Sequence, residues 1–385
     1  MKYDFDRVID RRGTASYKWD IGENEIPMWV ADMDFEAAPP VIEALKKRLG
    51  NGVFGYSDLT PEWYDAYIGW WKDRHGMEYV RDDLIFATGV VPILSSCVRK
   101  FTTENENVVM MTPVYNCFFS SVVNSGRRVL DAPLKFGSDG CSIDFAALER
   151  ALADPQTSML FLCNPHNPTG RIWTAGELSE VGRLCLRYGV TVISDEIHCD
   201  LTDPGKEYVP FLRAAPECEG ITVVCMAPTK AFNIAGLQTA CAAVREPKLR
   251  HRVWRALNTD EVGEPNAFAV TAAVAAFTGG GEWLSELRQY LHENKLLVES
   301  FVSERLPGIK VLHPDATYLI WMDMSGTGLT RPAEYIREKT GLVLSEGVIY
   351  GEDAGRYHVR MNVACPRSVV KEGLARLETA LKDLI

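Results

Sequence analysis

Six short apolar runs punctuate the first two thirds of the chain: 83–89 (DLIFATG), 107–113 (NVVMMTP), 158–165 (SMLFLCNP), 190–196 (VTVISDE), 221–228 (ITVVCMAP) and 239–245 (TACAAVR). They are rich in Val, Ile, Phe and Cys and do not alternate strictly with polar residues. That pattern suits strands buried on both faces of a mostly parallel sheet. Between them lie amphipathic segments such as 175–189 (AGELSEVGRLCLRYG), whose apolar residues recur at helical spacing. The alternation predicts βαβ units in an open α/β sheet.

After residue 265 the pattern changes. A helical stretch at 266–278 leads through three glycines into a long helix over 282–306, which Pro307-Gly308 stops. Strand, helix, strand and a last helix from about 367 follow, predicting a smaller α+β unit. The segment before about residue 45 has no core pattern of its own and is expected to pack on that unit. The division predicted is therefore a large domain over 45–283 and a small domain made of 1–44 and 284–385.

The 385 residues carry a net charge of −11, which disfavours a nucleic-acid backbone or an anionic membrane as the main partner. Charges are scattered through the first twenty residues, so no secretory signal is expected, and no apolar run reaches membrane-spanning length. A cytoplasmic location follows by default. The ten cysteines form no CxxC pair and are expected as buried free thiols. The seven histidines form neither HxxxH nor HExxH, so no protein-bound metal is expected.

Candidate chemistry sits at the strand ends. Lys230, in APTKAFNIAG, directly follows an apolar strand. A buried amine loses its proton readily and condenses with an aldehyde; a lysine snorkelling from the strand end is the plainer reading. Asp195 closes VTVISD, where ligands of open α/β sheets bind. A carboxylate there keeps a ring nitrogen protonated, and a helix cap explains it equally well. The loop 164–170 (NPHNPTG) would hold Asn164 and Asn167 rigidly, so that the side-chain amide of either could donate to a phenolate oxygen; a turn between strand and helix is the plainer reading. In TGVVP the amides of Val90 and Val91 would meet an anion at a helix N-terminus, although a simple turn fits too. Arg360 stands inside an apolar strand-like run, suited to a carboxylate or to a structural ion pair. Composition alone does not single out Tyr115 or Tyr56.

Together, MWVADMDF, FGYSD, TGVVP, TPVY, NPHNPTG, SDEIH, TKAFNIAGLQ and VRMNVACPR resemble, in order and over nearly the whole chain, the fold-type I pyridoxal-phosphate enzymes of the aspartate aminotransferase superfamily. PMWVADMDF, SDEIHCDL and KAFNIAGLQ resemble more narrowly the MalY/PatB group of cystathionine β-lyases, or C–S lyases. The resemblance implies pyridoxal 5′-phosphate as cofactor. Lys230 would be the Schiff-base lysine and the base at Cα. Asp195 would face the pyridine nitrogen, Asn167 the ring hydroxyl and Tyr115 the ring. Val90, Val91 and Thr229 would hold the phosphate, with Tyr56 reaching it from the other subunit of a homodimer. Arg360 would grip the substrate carboxylate beside Val30 and Ala31, and His198 would lie near the cofactor without an assigned role. Ala227 replaces the hydroxyl residue many aminotransferases carry three positions before the lysine, and Gln238 replaces their phosphate-binding arginine. The Gln238 departure is shared by the lyase group. The activity implied is β-elimination from S-substituted L-cysteines, cystathionine giving homocysteine, pyruvate and ammonia. An aminotransferase and a regulatory protein that keeps the fold and binds a protein partner are the alternatives.

Overall fold

The computed structural model describes residues 2–137 and 140–385. Seven strands form the main sheet, in spatial order Leu84–Ala87, Ala240–Ala243, Thr222–Met226, Thr191–Asp195, Thr157–Cys163, Asn107–Met110 and Arg128–Asp131. All six expected strands are present. Ala240–Ala243 alone runs antiparallel to its neighbours. The seventh, Arg128–Asp131, is an edge strand whose half-exposed polar pattern hid it among the apolar runs.

Strand interiors are apolar because both faces are covered. Leu160 and Leu162 point into one core layer, Met159 and Phe161 into the other. Truncating a side chain such as Phe161, fully buried, would cost about 3–5 kcal/mol. The helix Ala175–Tyr188 forms where its pattern predicts, for reasons visible at each end. The Thr174 hydroxyl accepts from the Glu177 amide, and the Glu177 carboxylate accepts from the Thr174 amide at 2.8 Å. Gly189 closes it in a left-handed conformation, φ 69°.

The helix Gly281–Arg305 buries Trp283, Leu284, Leu287, Tyr290, Leu291, Val298 and Val302 along one stripe. It leads into a four-stranded antiparallel sheet, Lys310–Leu312, Leu319–Asp323, His358–Asn362 and Ser345–Glu346 in spatial order. The N-terminal segment divides its contacts. Ile26–Pro27 pairs with Leu342–Val343 and Met28 joins the C-terminal core, whereas Phe5, Met33, Phe35 and Val41 join the core beside the main sheet.

Each of the ten cysteines is a free thiol, and nine are buried. Among the described residues no helix is long and apolar enough to cross a membrane.

Candidate active site

The register of the main sheet fixes where chemistry can gather. Asp195 is level with Cys163 on one side and Cys225 on the other, at the carboxyl ends of three parallel strands. Ala240 lies opposite Ala87, and Cys241 opposite Met226. The segments TGVV and APTK therefore leave the sheet side by side, on the same edge as Asp195. This is where an open α/β sheet presents a crevice.

Asp195 is buried. Burial pushes its carboxyl up to about 7, against the pull of the Ile197 amide and the Lys230 amine. The Ile197 amide donates to Oδ1 at 3.1 Å, and no regular helix follows, so an N-cap does not explain the residue. Lys230 is partly buried, and its Nζ donates to the Ala31 carbonyl at 2.5 Å. Desolvation, then the Arg360 cation, pull the amine down to about 8, while Asp32 and Asp195 oppose the change. An amine so placed is a base and a nucleophile near neutral pH.

Arg360 reaches in from the strand His358–Asn362. One Nη donates to Asn167 Oδ1 at 3.0 Å and the other to the Trp29 carbonyl at 2.9 Å. Its Nε is buried with no partner among the described residues, and its guanidinium lies 4.8 Å from the Tyr350 ring centroid. An unspent N–H on a buried guanidinium is a ready donor to an incoming carboxylate. His198 is buried with an unpartnered Nδ1. Burial first, then the Lys230 and Arg360 cations, hold its imidazole down at about 3, so it stays neutral. Tyr115 opens the helix Asn116–Val123, and burial raises its phenol, with Cys117 and Asp195 adding to the rise.

Val90 and Val91 are the first two residues of the helix Val90–Phe101, where free amides and the helix dipole favour an anion. Thr229 is buried one residue before Lys230. Tyr56 differs from all of these: its side chain is fully exposed, in the irregular stretch between two helices, and takes no part in the pocket of its own chain. Gln238 is likewise exposed, at the end of a short 3₁₀ turn.

Other residues, which the motifs did not single out, also build the site. Asn362 Nδ2 donates to the Val30 and Asp32 carbonyls, each at 2.6 Å. Asn233 clasps the same loop, accepting from the Met33 amide and donating to the Met33 and Phe35 carbonyls. The Tyr318 hydroxyl shares the Ala31 carbonyl with Lys230 at 3.0 Å. These contacts hold residues 30–33 against the lysine. Asn362 lies two residues beyond Arg360, and a buried amide in an apolar strand was a readable sign; Asn233 and Tyr318 had none.

A buried carboxyl at a strand end, a lowered lysine and an arginine with a spare N–H form the site of a class that this fold is known for, and the chain belongs to the aminotransferase class I and II family, which matches residues 23–377. The architecture is the fold-type I aminotransferase fold. The chain is 42% identical to cystathionine β-lyase PatB of Bacillus subtilis, over 98% of this chain and 99% of that protein. It is 33% identical to the protein MalY of Escherichia coli, over 99% of each. Among solved structures, cystalysin from Treponema denticola, which contains a pyridoxal 5′-phosphate cofactor, is 34% identical with a TM-score of 0.96 and full coverage of both chains.

Proposed function

We propose that this chain is a pyridoxal-phosphate-dependent carbon–sulfur lyase. It eliminates the thiol from S-substituted L-cysteines such as cystathionine and leaves pyruvate and ammonia. The observation that carries the reading is the convergence of Lys230, Asp195 and the Asn167–Arg360 pair on one strand-end crevice, in a chain so similar to a cystathionine β-lyase.

The residues fit the cofactor. Asp195, a buried carboxyl raised to about 7, is suited to a cationic ring nitrogen, which would return it to the ionised form. Lys230 is suited to the aldehyde and Asn167 to the ring oxygen. Tyr115 would cover the ring, and the Val90 and Val91 amides with the Thr229 hydroxyl would take the phosphate. Bound there, pyridoxal phosphate supplies an electron sink for a carbanion at the substrate Cα.

The chain's own groups do the rest. Arg360 fixes the substrate carboxylate, with Val30 and Ala31 as the wall beside it. Lys230 takes the Cα proton onto Nζ. Asp195 holds a proton on the nitrogen it faces. The neutral His198 lines the pocket without adding charge. As Cα gives up its proton, the Cβ–S bond breaks and the thiolate leaves with the bonding pair; hydrolysis of the remainder yields pyruvate and ammonia.

In this reading the chain acts as a homodimer whose Tyr56 enters the neighbouring site. The exposure of Val53, Phe54 and Tyr56 on one arm supports it. The division into 45–283 and 1–44 with 284–385, and a reducing cytoplasmic setting for the free thiols, belong to the same reading.

Incubation with L-cystathionine alone should release pyruvate through many turnovers. Lys230→Ala should lower the rate by at least about 10²–10⁴ and remove the visible absorbance band of the lysine-bound cofactor. Pyruvate that forms only after a 2-oxo acid is added would instead identify an aminotransferase.

A further inference from the structure

A polar cavity of about 270 Å³ is lined in part by Cys199 and Asp200, the two residues that follow His198. Three elements line it: the end of the helix Pro61–His75, the stretch 199–208 and the helix Gly281–Arg305. Two guanidiniums face it from different elements, Arg74 and Arg288. Arg288 donates through Nε to the Thr202 carbonyl at 2.6 Å and through one Nη to the Thr202 hydroxyl at 2.7 Å. Its other Nη donates to nothing among the described residues. Arg74 lies over the Trp70 ring at 4.5 Å, and its closest carboxylate contact is a loose one, 3.9 Å to Asp200. Burial and then the Arg74 cation lower the Arg288 guanidinium, against the pull of Asp200 and Asp203.

The carboxylates nearby are already engaged. Asp200 accepts from Trp70 Nε1 through both oxygens, at 3.0 and 3.1 Å, and lies 3.0 Å from His75 Nε2. Glu207, which also lines the cavity, pairs with Arg213 at 2.7 Å. Lys206 adds a third cation at the rim, shared with Asp315 at 2.8 Å. The ligand atoms of His75, Cys199 and Asp200 also lie within 4.8 Å of one another, an arrangement open to a metal ion. Arg74, Arg288 and Lys206 outnumber the lining carboxylates of Asp200 and Glu207, which opposes a further cation there, and burial keeps the Cys199 thiol protonated.

We infer that this cavity is a binding site for a small oxyanion of the phosphate class, bridged by Arg74 and Arg288. Planar guanidiniums match phosphate oxygens in pairs, and a bound dianion turns a repulsive contact into two attractive ones. The occupied site would tie the helix Pro61–His75 to the helix Gly281–Arg305 across the segment next to His198. The inference is independent of the chemistry at Lys230.

The test is calorimetric titration of inorganic phosphate into the intact holoenzyme, freed of excess cofactor, in a phosphate-free buffer. One saturable site per chain is expected, with a melting temperature that rises with phosphate. Arg74→Gln should weaken binding roughly tenfold or more and cancel the melting shift. Arg74→Lys is the second variant should the first fold poorly, and it should bind at intermediate strength. Arg183→Gln, a distant surface change, should bind as the unmodified protein does. Glycerol phosphate tells a phosphomonoester, bound more tightly, from the free ion, bound equally well. Absence of saturable phosphate binding, binding indifferent to Arg74, or saturable zinc uptake in its place would overturn the assignment.

Discussion

Asp195 carries a stability signature of its own. Its carboxyl ordinarily titrates near 3.8 and is raised to about 7 by burial in the folded chain. A carboxyl raised on folding favours the folded state at low pH, and that advantage disappears as pH climbs through the raised value. In cofactor-free protein, Asp195→Asn should therefore gain stability relative to the parent by up to about 1.4 kcal/mol per pH unit between 3.8 and 7, and no more above that. Urea denaturation at pH 4 and pH 8 measures it; equal differences at both would contradict the burial argument. Lys230 runs the other way. Its amine, lowered to about 8, should react with a small aldehyde at a rate that levels off above pH 8, well below the usual lysine value of 10.5. For Arg360→Lys, loss of the paired fork should raise KM for cystathionine by about tenfold or more, seen in steady-state kinetics.

At the scale of elements, the loop 164–170 depends on a residue without a side chain. Gly170 has φ +70°, and a Cβ built on it would fall 2.3 Å from Pro314 Cβ and 2.7 Å from the Ala316 carbonyl oxygen. Gly170→Ala combines backbone strain with a clash against backbone, so it should cost about 2–4 kcal/mol, read as a lower urea midpoint. The loop it anchors was legible in the sequence because prolines and asparagines in that order leave few conformations. The parallel strands were legible because both of their faces are apolar. Their directions were not: Ala240–Ala243 is as uniformly buried as its neighbours, and a uniform run says nothing about which way it points. Lys230 and Asp195 were conspicuous as charges at apolar strand ends, and Arg360 as a charge inside an apolar run. Asn233 was hidden because its partners, Met33 and Phe35, lie about two hundred residues away. Asn362→Ala, which strips the donor from two buried carbonyls, should cost about 1–3 kcal/mol.

For the whole molecule, the exposed Tyr56 makes a prediction about pairs of chains. Mixing Lys230→Ala protein with Tyr56→Ala protein under conditions that exchange subunits should recover roughly a quarter of the parental activity, because half of the pairs hold one complete site each. Activity that stays at the level of the two separate variants would mean that each site is built from a single chain.

The thiols have a consequence of their own. A catalyst that sets free mercaptans works in a bath of its own reducing and disulfide-forming product. Keeping nine sulfurs out of reach shields the protein from becoming a substrate for that exchange, and leaves Cys117, near the Tyr115 ring, as the one outpost. Brief iodoacetamide treatment of the native protein should attach a single carbamidomethyl group, at Cys117, by mass spectrometry.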